Sequence, residues 1–284
     1  MTAPTLNKSA LVSLLQKPKY EILPMKNVEG QFAFIPPEAK VTITVSPSKG
    51  NSATLELSEQ LSKTISPERI TPHISARLVE SLAHLKAILK LTRDLGIKEL
   101  FTVGGDTQTP AGPFTNSFEL VRAVRDVDTD IRLGITAYPD GHPSISNEVL
   151  LEDLTCKAPY AQFMSTQLCF DASKISQWLG QVRGQGITLP IQIGMAGVVD
   201  IIKLTQIATR IGVGDSVRYL SKHAGTVFKL LGGYKPDELL ENLDEILTNE
   251  SSNIAGFHIY TFNQLEKTER WRKDILQKLG SGSL

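Results

Sequence analysis

The chain has 284 residues, of which 41% are hydrophobic, and its 30 basic residues balance 30 acidic ones. This length can bury one large core. The zero net charge argues against nucleic acid or an anionic membrane surface as a partner, so we expect small-molecule ligands. Apolar runs such as residues 189–193 fall far short of the roughly 20 residues that span a bilayer, and the N-terminus has no secretory pattern. We therefore expect a cytoplasmic protein that does not enter a membrane.

Short β-branched runs alternate with amphipathic stretches of helical period along the chain. This alternation is typical of βα units around a parallel sheet, and about eight units predict an α/β fold of the (β/α)8 TIM barrel type. The predicted strands are residues 20–23, 41–45, 70–74, 99–103, 131–138, 161–167, 191–195 and 256–262. The predicted helices are residues 56–62, 76–92, 117–127, 172–182, 198–209 and 239–247.

The pattern predicts a single barrel domain over residues 1–284, with loose ends at about 1–15 and 280–284. Asn116, Asp171 and the pair Pro236-Asp237 are predicted helix starts. Residues 222–235, which contain three glycines, are the best candidate for a departure from the simple βα pattern.

Polar residues follow most of the predicted strands. In a closed parallel barrel, the active site forms at the C-terminal ends of the strands. The loop at residues 137–143 has two prolines and a glycine, which fit a ligand-binding loop and a purely structural turn equally well. The polar strand-end residues are Thr44, Ser46, His73, Asp106, Tyr138, His142, Gln167, Tyr260, Thr261 and Asn263.

Glu21 lies inside an apolar strand, between Tyr20 and Ile22. Desolvation favours the protonated form of a carboxyl group, which suits a general acid at neutral pH. The alternative is an ion pair with Lys19 or Lys26.

Two other candidates have structural alternatives. Asp106 follows two glycines and could cap a turn, and His73 could be a buried histidine that bonds only to backbone. Because no HxH or HExxH pattern occurs, we predict no metal site.

Three segments occur in a familiar order: residues 137–143 (AYPDGHP), 166–171 (TQLCFD) and 257–263 (FHIYTFN), together with Pro72-His73 and Gly105-Asp106. In this order and spacing the chain resembles the methylenetetrahydrofolate reductase family over nearly its whole length. The resemblance implies a (β/α)8 barrel that carries FAD and reduces methylenetetrahydrofolate to methyltetrahydrofolate with NADH or NADPH. It implies folate and nicotinamide nucleotide as partners and leaves homo-oligomer formation open.

The resemblance also implies roles for individual residues. Glu21 matches the catalytic glutamate that protonates a folate nitrogen, and Asp106 matches an aspartate near the flavin and the pterin. Gln167 and Tyr260 match substrate-binding positions. The positions that match the flavin site are Thr44, His73, Gly105, Tyr138 and His142.

Two departures from the family pattern remove positive charge from the expected pyrophosphate site. The family's Arg-Gly-Asp is Gly104-Gly105-Asp106 here, and its later basic pair is replaced by Thr155-Cys156, with Lys157 nearby. Because each charge-assisted hydrogen bond contributes about 1.5–3 kcal/mol, FAD binding should be weakened or lost. Three hypotheses remain: a FAD-dependent reductase, a flavin-free reductase with direct hydride transfer from NAD(P)H, and a non-catalytic folate-binding subunit.

Overall fold

A computed structural model of the chain describes residues 8–46, 48–199 and 236–281. Eight parallel strands follow one another around a closed barrel, and β1 pairs with both β2 and β8. This architecture confirms the predicted (β/α)8 fold. The strands are β1 (Lys19–Ile22), β2 (Lys40–Ile43), β3 (Ile70–Ser75), β4 (Glu99–Val103), β5 (Arg132–Ala137), β6 (Phe163–Thr166), β7 (Ile191–Ala196) and β8 (Ile254–Tyr260).

Nine α-helices lie in the part of the chain that the structure describes. They are α1 (Lys8–Gln16), α2 (Gly50–Ser62), α3 (Leu82–Asp94), α4 (Ser117–Val127), α5 (Asn147–Lys157), α6 (Ala172–Gly184), α7 (Asp237–Glu241), α8 (Asp244–Thr248) and α9 (Leu265–Ser281). Short 3-10 helices cover Val28–Phe34, Pro67–Arg69, Ala76–Leu78, Ala158–Tyr160 and Glu250–Ser252. In these described ranges, no helix has the length and apolar character that crossing a membrane requires.

Strand alternation decides which side chains enter the barrel, because successive residues of a strand point to opposite faces. In β1, the Tyr20 hydroxyl reaches outward and donates to Glu269 on α9 at 2.6 Å. Glu21 points inward, toward His258 of β8. The sequence of β1 therefore places one carboxyl group inside the barrel.

The middle of the barrel is filled by aromatic side chains. The Phe101 and Phe163 rings lie 6.1 Å apart between their centroids. A Cβ atom at Gly134 would collide with both rings, so this position of β5 requires glycine. Toward the N-terminal ends of the strands, Lys19 Nζ bonds to Glu99 Oε1 at 2.6 Å and lies over the Phe163 ring. The barrel is thus packed below the level of Glu21.

The predicted caps at Asn116 and Asp171 are present, since their side chains accept hydrogen bonds from the backbone of Glu119 and Ser173. Pro236 precedes α7 as predicted. Other helix boundaries differ. Residues 76–92 form a 3-10 turn and then α3, because Ser81 caps a new helix by accepting from His84 N. Residues 239–247 form two helices, separated after Glu241.

For residues 8–15 the expected loose end is corrected by α1, which starts at Lys8 and buries Leu11 and Leu15. This helix packs on α9 and β8, so apolar burial keeps it in place. Residues 1–7 lie outside the described residues. At the other end, α9 continues to Ser281. Nearly all of the predicted helix at 198–209, and the whole segment 222–235, lie outside the described residues. The single-domain organisation over residues 1–284 stays a prediction.

Candidate active site at the C-terminal face of the barrel

Glu21 lies at the centre of the candidate site, with only 8% of its surface exposed. Its Oε2 atom is 3.1 Å from His258 Nε2 and 3.9 Å from His73 Nε2. The backbone oxygen of Glu21 accepts a hydrogen bond from the Thr261 hydroxyl at 2.6 Å. Lys19, an alternative partner in the sequence, bonds instead to Glu99. The carboxyl group of Glu21 is therefore surrounded by imidazoles rather than by lysine.

Burial shifts the protonation of all three groups. It raises the pKa of Glu21 to about 7, against the opposing influence of His73. It lowers the pKa of His73 and of His258 to about 3, so both imidazoles are neutral near pH 7. An ionised Glu21 accepts a hydrogen bond from His258 Nε2, and a protonated Glu21 donates one to the same atom. Such a cluster can hold one proton and release it near neutral pH.

Two tyrosines extend this cluster. The Tyr260 hydroxyl donates to the Thr166 backbone oxygen at 3.1 Å, and its ring centroid lies 4.8 Å from that of His258. Burial, together with nearby Glu21 and Tyr138, raises the pKa of Tyr260. These interactions bring the ends of β1, β5 and β8 to one site.

Asp106 belongs to the same face and is exposed after β4. Burial raises the pKa of Tyr138, and the charges of Asp153 and Asp106 raise it further. Gly105 has φ +99°, and a Cβ atom there would collide with the Ser75 hydroxyl, so only glycine fits. No hydrogen bond to the Asp106 carboxylate is found within the described ranges, so this exposed side chain does not cap the turn.

The loop at residues 137–143, which follows β5, carries two rings, those of Tyr138 and His142. Tyr138 and His142 meet edge to face, with ring centroids 5.6 Å apart. Gly141 has φ +76° and donates through its N–H to the Tyr138 backbone oxygen, which closes the turn. His142 Nδ1 accepts from Ser144 N at 3.3 Å. The loop is thus internally structured, and it holds the two rings side by side.

Gln167 and Thr44 are placed at neighbouring strand ends. Gln167 Oε1 accepts from Leu168 N at 2.9 Å, which turns the amide nitrogen away from the backbone. Thr44 N donates to the Ile22 backbone oxygen at 3.0 Å, so it lies next to the end of β1. Both residues are half-buried. All predicted site residues therefore lie toward the C-terminal face. Within the described ranges, no hydrogen bond, ion pair or ring contact joins Thr44, Gln167 or His142 to the cluster of Glu21, His73 and His258 (the Glu21 cluster).

Sequence reasoning missed His258 as a site residue. The period of two along β8 carries the signal, because His258 and Tyr260 lie on the same face of the strand. The histidine was overlooked because it lies inside the strand rather than at its end.

Glu21, His73 and His258 are also a donor set of the kind that binds transition metals, with donor atoms within 4.8 Å of one another. Metal-bound imidazoles ordinarily donate their second N–H to an acceptor. Across the described part of the chain, His258 Nδ1 has no hydrogen-bond partner. The trio therefore lacks the outer support of a typical metal centre.

The side chains near the expected pyrophosphate site do not fit FAD well. Lys157 is 1% exposed, and its ammonium group bonds to Asp153 and Ser117. The guanidinium of Arg77 donates to three backbone carbonyl groups. Since Gly104 has no side chain, the described residues at the two expected positions supply no free cation for a pyrophosphate.

A closed parallel barrel with clustered ionisable groups at its C-terminal face is typical of a (β/α)8 enzyme. Residues 36–280 match the family described as methylenetetrahydrofolate reductase. This match covers more than half of the chain. The chain belongs to the methylenetetrahydrofolate reductase family.

Three curated relatives agree with this assignment. The chain is 24% identical over 215 residues to "Probable methylenetetrahydrofolate reductase (NADPH)" of Caenorhabditis elegans, covering 71% of this chain and 30% of the relative. It is 27% identical over 121 residues to "Methylenetetrahydrofolate reductase 1" of Schizosaccharomyces pombe, covering 39% and 20%. It is 26% identical over 191 residues to "Methylenetetrahydrofolate reductase 2" of Saccharomyces cerevisiae, covering 61% and 30%. The chain thus spans less than a third of the length of each relative.

Proposed function

We propose that this chain reduces 5,10-methylenetetrahydrofolate to 5-methyltetrahydrofolate, with NADH or NADPH as the hydride donor. The observation that carries the proposal is the buried Glu21 carboxyl group, which is bonded to His258 and has a pKa raised to about 7. Family membership supports the substrate class. The name of the nematode relative includes NADPH.

Glu21 acts as the general acid. In the substrate, the methylene carbon bridges two nitrogens of the folate and closes a five-membered ring. Glu21 donates its proton to one of these nitrogens, and the bond between that nitrogen and the methylene carbon breaks. The resulting iminium carbon accepts a hydride, and the nicotinamide is oxidised. One proton and one hydride together give the methyl product, and proton donation of this kind contributes about 10²–10⁴-fold to a rate.

The neighbouring residues orient the substrate. Asp106 presents its exposed carboxylate toward the pterin, and the free amide nitrogen of Gln167 donates to the folate. Tyr260 lies near both Glu21 and Tyr138, since its pKa is raised by burial and by the charges of these two groups. A site that holds these groups in place before the substrate arrives lowers the entropic cost of reaching the transition state.

Direct hydride transfer from NAD(P)H is the second candidate route. It is favoured because Lys157 is paired with Asp153 and Arg77 is bonded to backbone carbonyl groups, so neither cation is free to bind a pyrophosphate. In that case the residues matching the family's flavin site line the pocket of the nicotinamide instead: Thr44, His73, Gly105, Tyr138 and His142. Bound FAD would supply a two-electron carrier between donor and folate. The acid role of Glu21 is the same in both routes.

The test is anaerobic oxidation of NADH and of NADPH with methylenetetrahydrofolate, with and without added FAD. We expect turnover by the wild type and a loss of at least about 100-fold in Glu21→Gln, while folate binding by equilibrium dialysis changes little. Glu29→Gln, at an exposed carboxylate, is the control and should keep wild-type turnover.

The outcomes separate the three hypotheses. Turnover that needs FAD selects the flavin route, and equal turnover without FAD selects direct transfer. Folate binding without turnover for either donor would contradict the reductase and indicate a folate-binding subunit. Unchanged turnover in Glu21→Gln would remove its acid role.

A further inference from the structure

Within the described residues, four arginines each donate to two or more backbone carbonyl groups of the barrel's loops. Three of them act at the N-terminal ends of the strands, where Arg69, Arg125 and Arg183 bond to the segments that precede β2, β5, β6, β7 and β8. Arg77 differs, because it follows β3 at the C-terminal face. In (β/α)8 barrels the N-terminal face serves stability and the C-terminal face serves chemistry.

Arg77 holds the loop that follows β4. Its Nε donates to the Thr107 oxygen at 2.6 Å, its Nη1 to the Thr115 oxygen at 2.8 Å, and its Nη2 to the Gln108 oxygen. Its backbone N–H also donates to Gly104 O at 3.1 Å, and its backbone oxygen accepts from Ala111 N at 2.8 Å. One residue thus contacts the loop at five points between 104 and 115.

Two glycines let the loop approach closely enough for these bonds. A Cβ atom at Gly105 would collide with Ser75, and one at Gly112 would collide with the backbone of Val79 and Glu80. Both ends of the loop are therefore packed against residues 75–80. The chain direction at residue 106 is fixed between two anchored neighbours, Gly105 and Thr107.

We propose that Arg77 is a positioning residue that fixes the Asp106 carboxylate for folate binding, an inference that rests on the proposed function for the role of Asp106. The planar guanidinium is suited to this task because its five N–H donors point in fixed directions, which a lysine cannot reproduce. Since three carbonyl groups occupy the guanidinium, Arg77 acts on the loop rather than on a phosphate.

The first test is hydrogen exchange of the full-length protein, which needs no substrate. We expect the amides of residues 104–115 to exchange about tenfold faster or more in Arg77→Ala. The matched control is Arg125→Ala, which also removes bonds to several carbonyl groups, at the opposite face of the barrel. It should loosen residues 129–131 and 160–162 and leave residues 104–115 unchanged.

The second test is kinetic. Arg77→Ala should lower kcat/KM for methylenetetrahydrofolate by up to about 100-fold, chiefly by raising KM. A displacement of a substrate-positioning group by about 1 Å has an effect of this size. Arg125→Ala should keep the wild-type KM. In a double-mutant cycle, Arg77→Ala should add little once Asp106→Ala is present, because both changes remove the same contact with the folate. Arg77→Lys should keep most of the defect.

Three results would overturn the proposal: unchanged exchange at 104–115 in Arg77→Ala, full recovery in Arg77→Lys, or additive effects of Arg77→Ala and Asp106→Ala. A wild-type protein that does not reduce methylenetetrahydrofolate would instead contradict the proposed function. The exchange experiment keeps these two failures apart, because its result does not depend on turnover.

Discussion

At the scale of single residues, the Glu21 cluster joins one acid to two neutral imidazoles. His73 Nε2 and His258 Nδ1 have no hydrogen-bond partner within the described ranges. Unpaired buried nitrogens of this kind are costly in a folded protein. A bound substrate can form the missing hydrogen bonds to these nitrogens. We therefore propose that proton transfer takes place at this cluster.

The raised pKa of Glu21 gives a pH-dependent prediction. Native Glu21 titrates at about 7 against an ordinary value of 4.5, so the folded protein holds a proton that the unfolded chain releases between these pH values. The contribution of Glu21 to stability therefore falls as the pH rises from 4.5 to 7. His73 and His258 have pKa values lowered to about 3, so their contribution to stability rises as the pH rises from 3 to 6.5.

Comparing Glu21→Gln with the wild type cancels most of the histidine contribution. We expect the variant to gain about 1–3 kcal/mol of unfolding free energy relative to the wild type on going from pH 5 to pH 8. Urea unfolding at the two pH values measures this difference. An identical difference at both pH values would show that Glu21 titrates normally.

At the scale of elements, the turn between β8 and α9 holds the end of β1. Asn263 Oδ1 accepts from Leu23 N at 2.8 Å, and its Nδ2 donates to Leu23 O at 3.1 Å. Asn263 has φ +57°, a left-handed conformation that asparagine tolerates better than most residues. Together with the Thr261 hydroxyl, which bonds to the Glu21 backbone oxygen, this side chain fixes the end of β1.

Asn263→Ala should lower the unfolding free energy by about 2–4 kcal/mol, since it removes two hydrogen bonds and strains the backbone. Asn263→Gly is the control, because it relieves the strain without restoring the bonds, and it should recover only part of the loss. Turnover should fall in both variants as β1 loosens. Wild-type stability in Asn263→Ala would show that the turn does not hold β1.

The same scale shows what the sequence could predict. The sequence predicts both ends of all eight strands to within two residues, because their β-branched runs are short and bounded by turns. The start of α2 at Gly50 was missed because its buried face includes Asn51, Thr54 and Ser58, which hide the apolar stripe. In α5 the buried residues are only Leu154 and Lys157, so hydrophobic periodicity gave no signal.

At the scale of the whole molecule, the barrel separates packing from chemistry. The N-terminal end is closed by Lys19 and Glu99. Burial raises the pKa of Glu99, but the charges of Lys19 and Lys40 outweigh it and lower this pKa to about 2. Phe101 and Phe163 fill the middle, and the Glu21 cluster lies above them. This order along the barrel axis places the buried acid between the packed middle of the barrel and its C-terminal face.

The sequence predicts only those site residues that follow from the order of the strands around the barrel. Glu21, His73 and Tyr260 were selected because parallel strands bring their ends together. In the structure, Glu21 lies near His73 and His258, and Tyr260 packs against His258. The role of Arg77 could not be predicted, because it depends on carbonyl groups about 30 residues further along the chain. Contacts with backbone atoms of a distant loop leave no pattern in the side-chain sequence.

The central claim is that this barrel transfers a hydride to the folate methylene carbon while Glu21 supplies the proton. The most direct test is an anaerobic reaction of methylenetetrahydrofolate with NADH and with NADPH, each carrying deuterium at both positions of the nicotinamide C4, followed by mass spectrometry of the product. We predict methyltetrahydrofolate from the wild type, with one deuterium in its methyl group if NAD(P)H transfers the hydride directly, and about 100-fold less product with Glu21→Gln. If a flavin carried the hydride, most of the label would be lost by exchange with solvent. A complete absence of methyltetrahydrofolate, labelled or unlabelled, from the wild type would contradict the account.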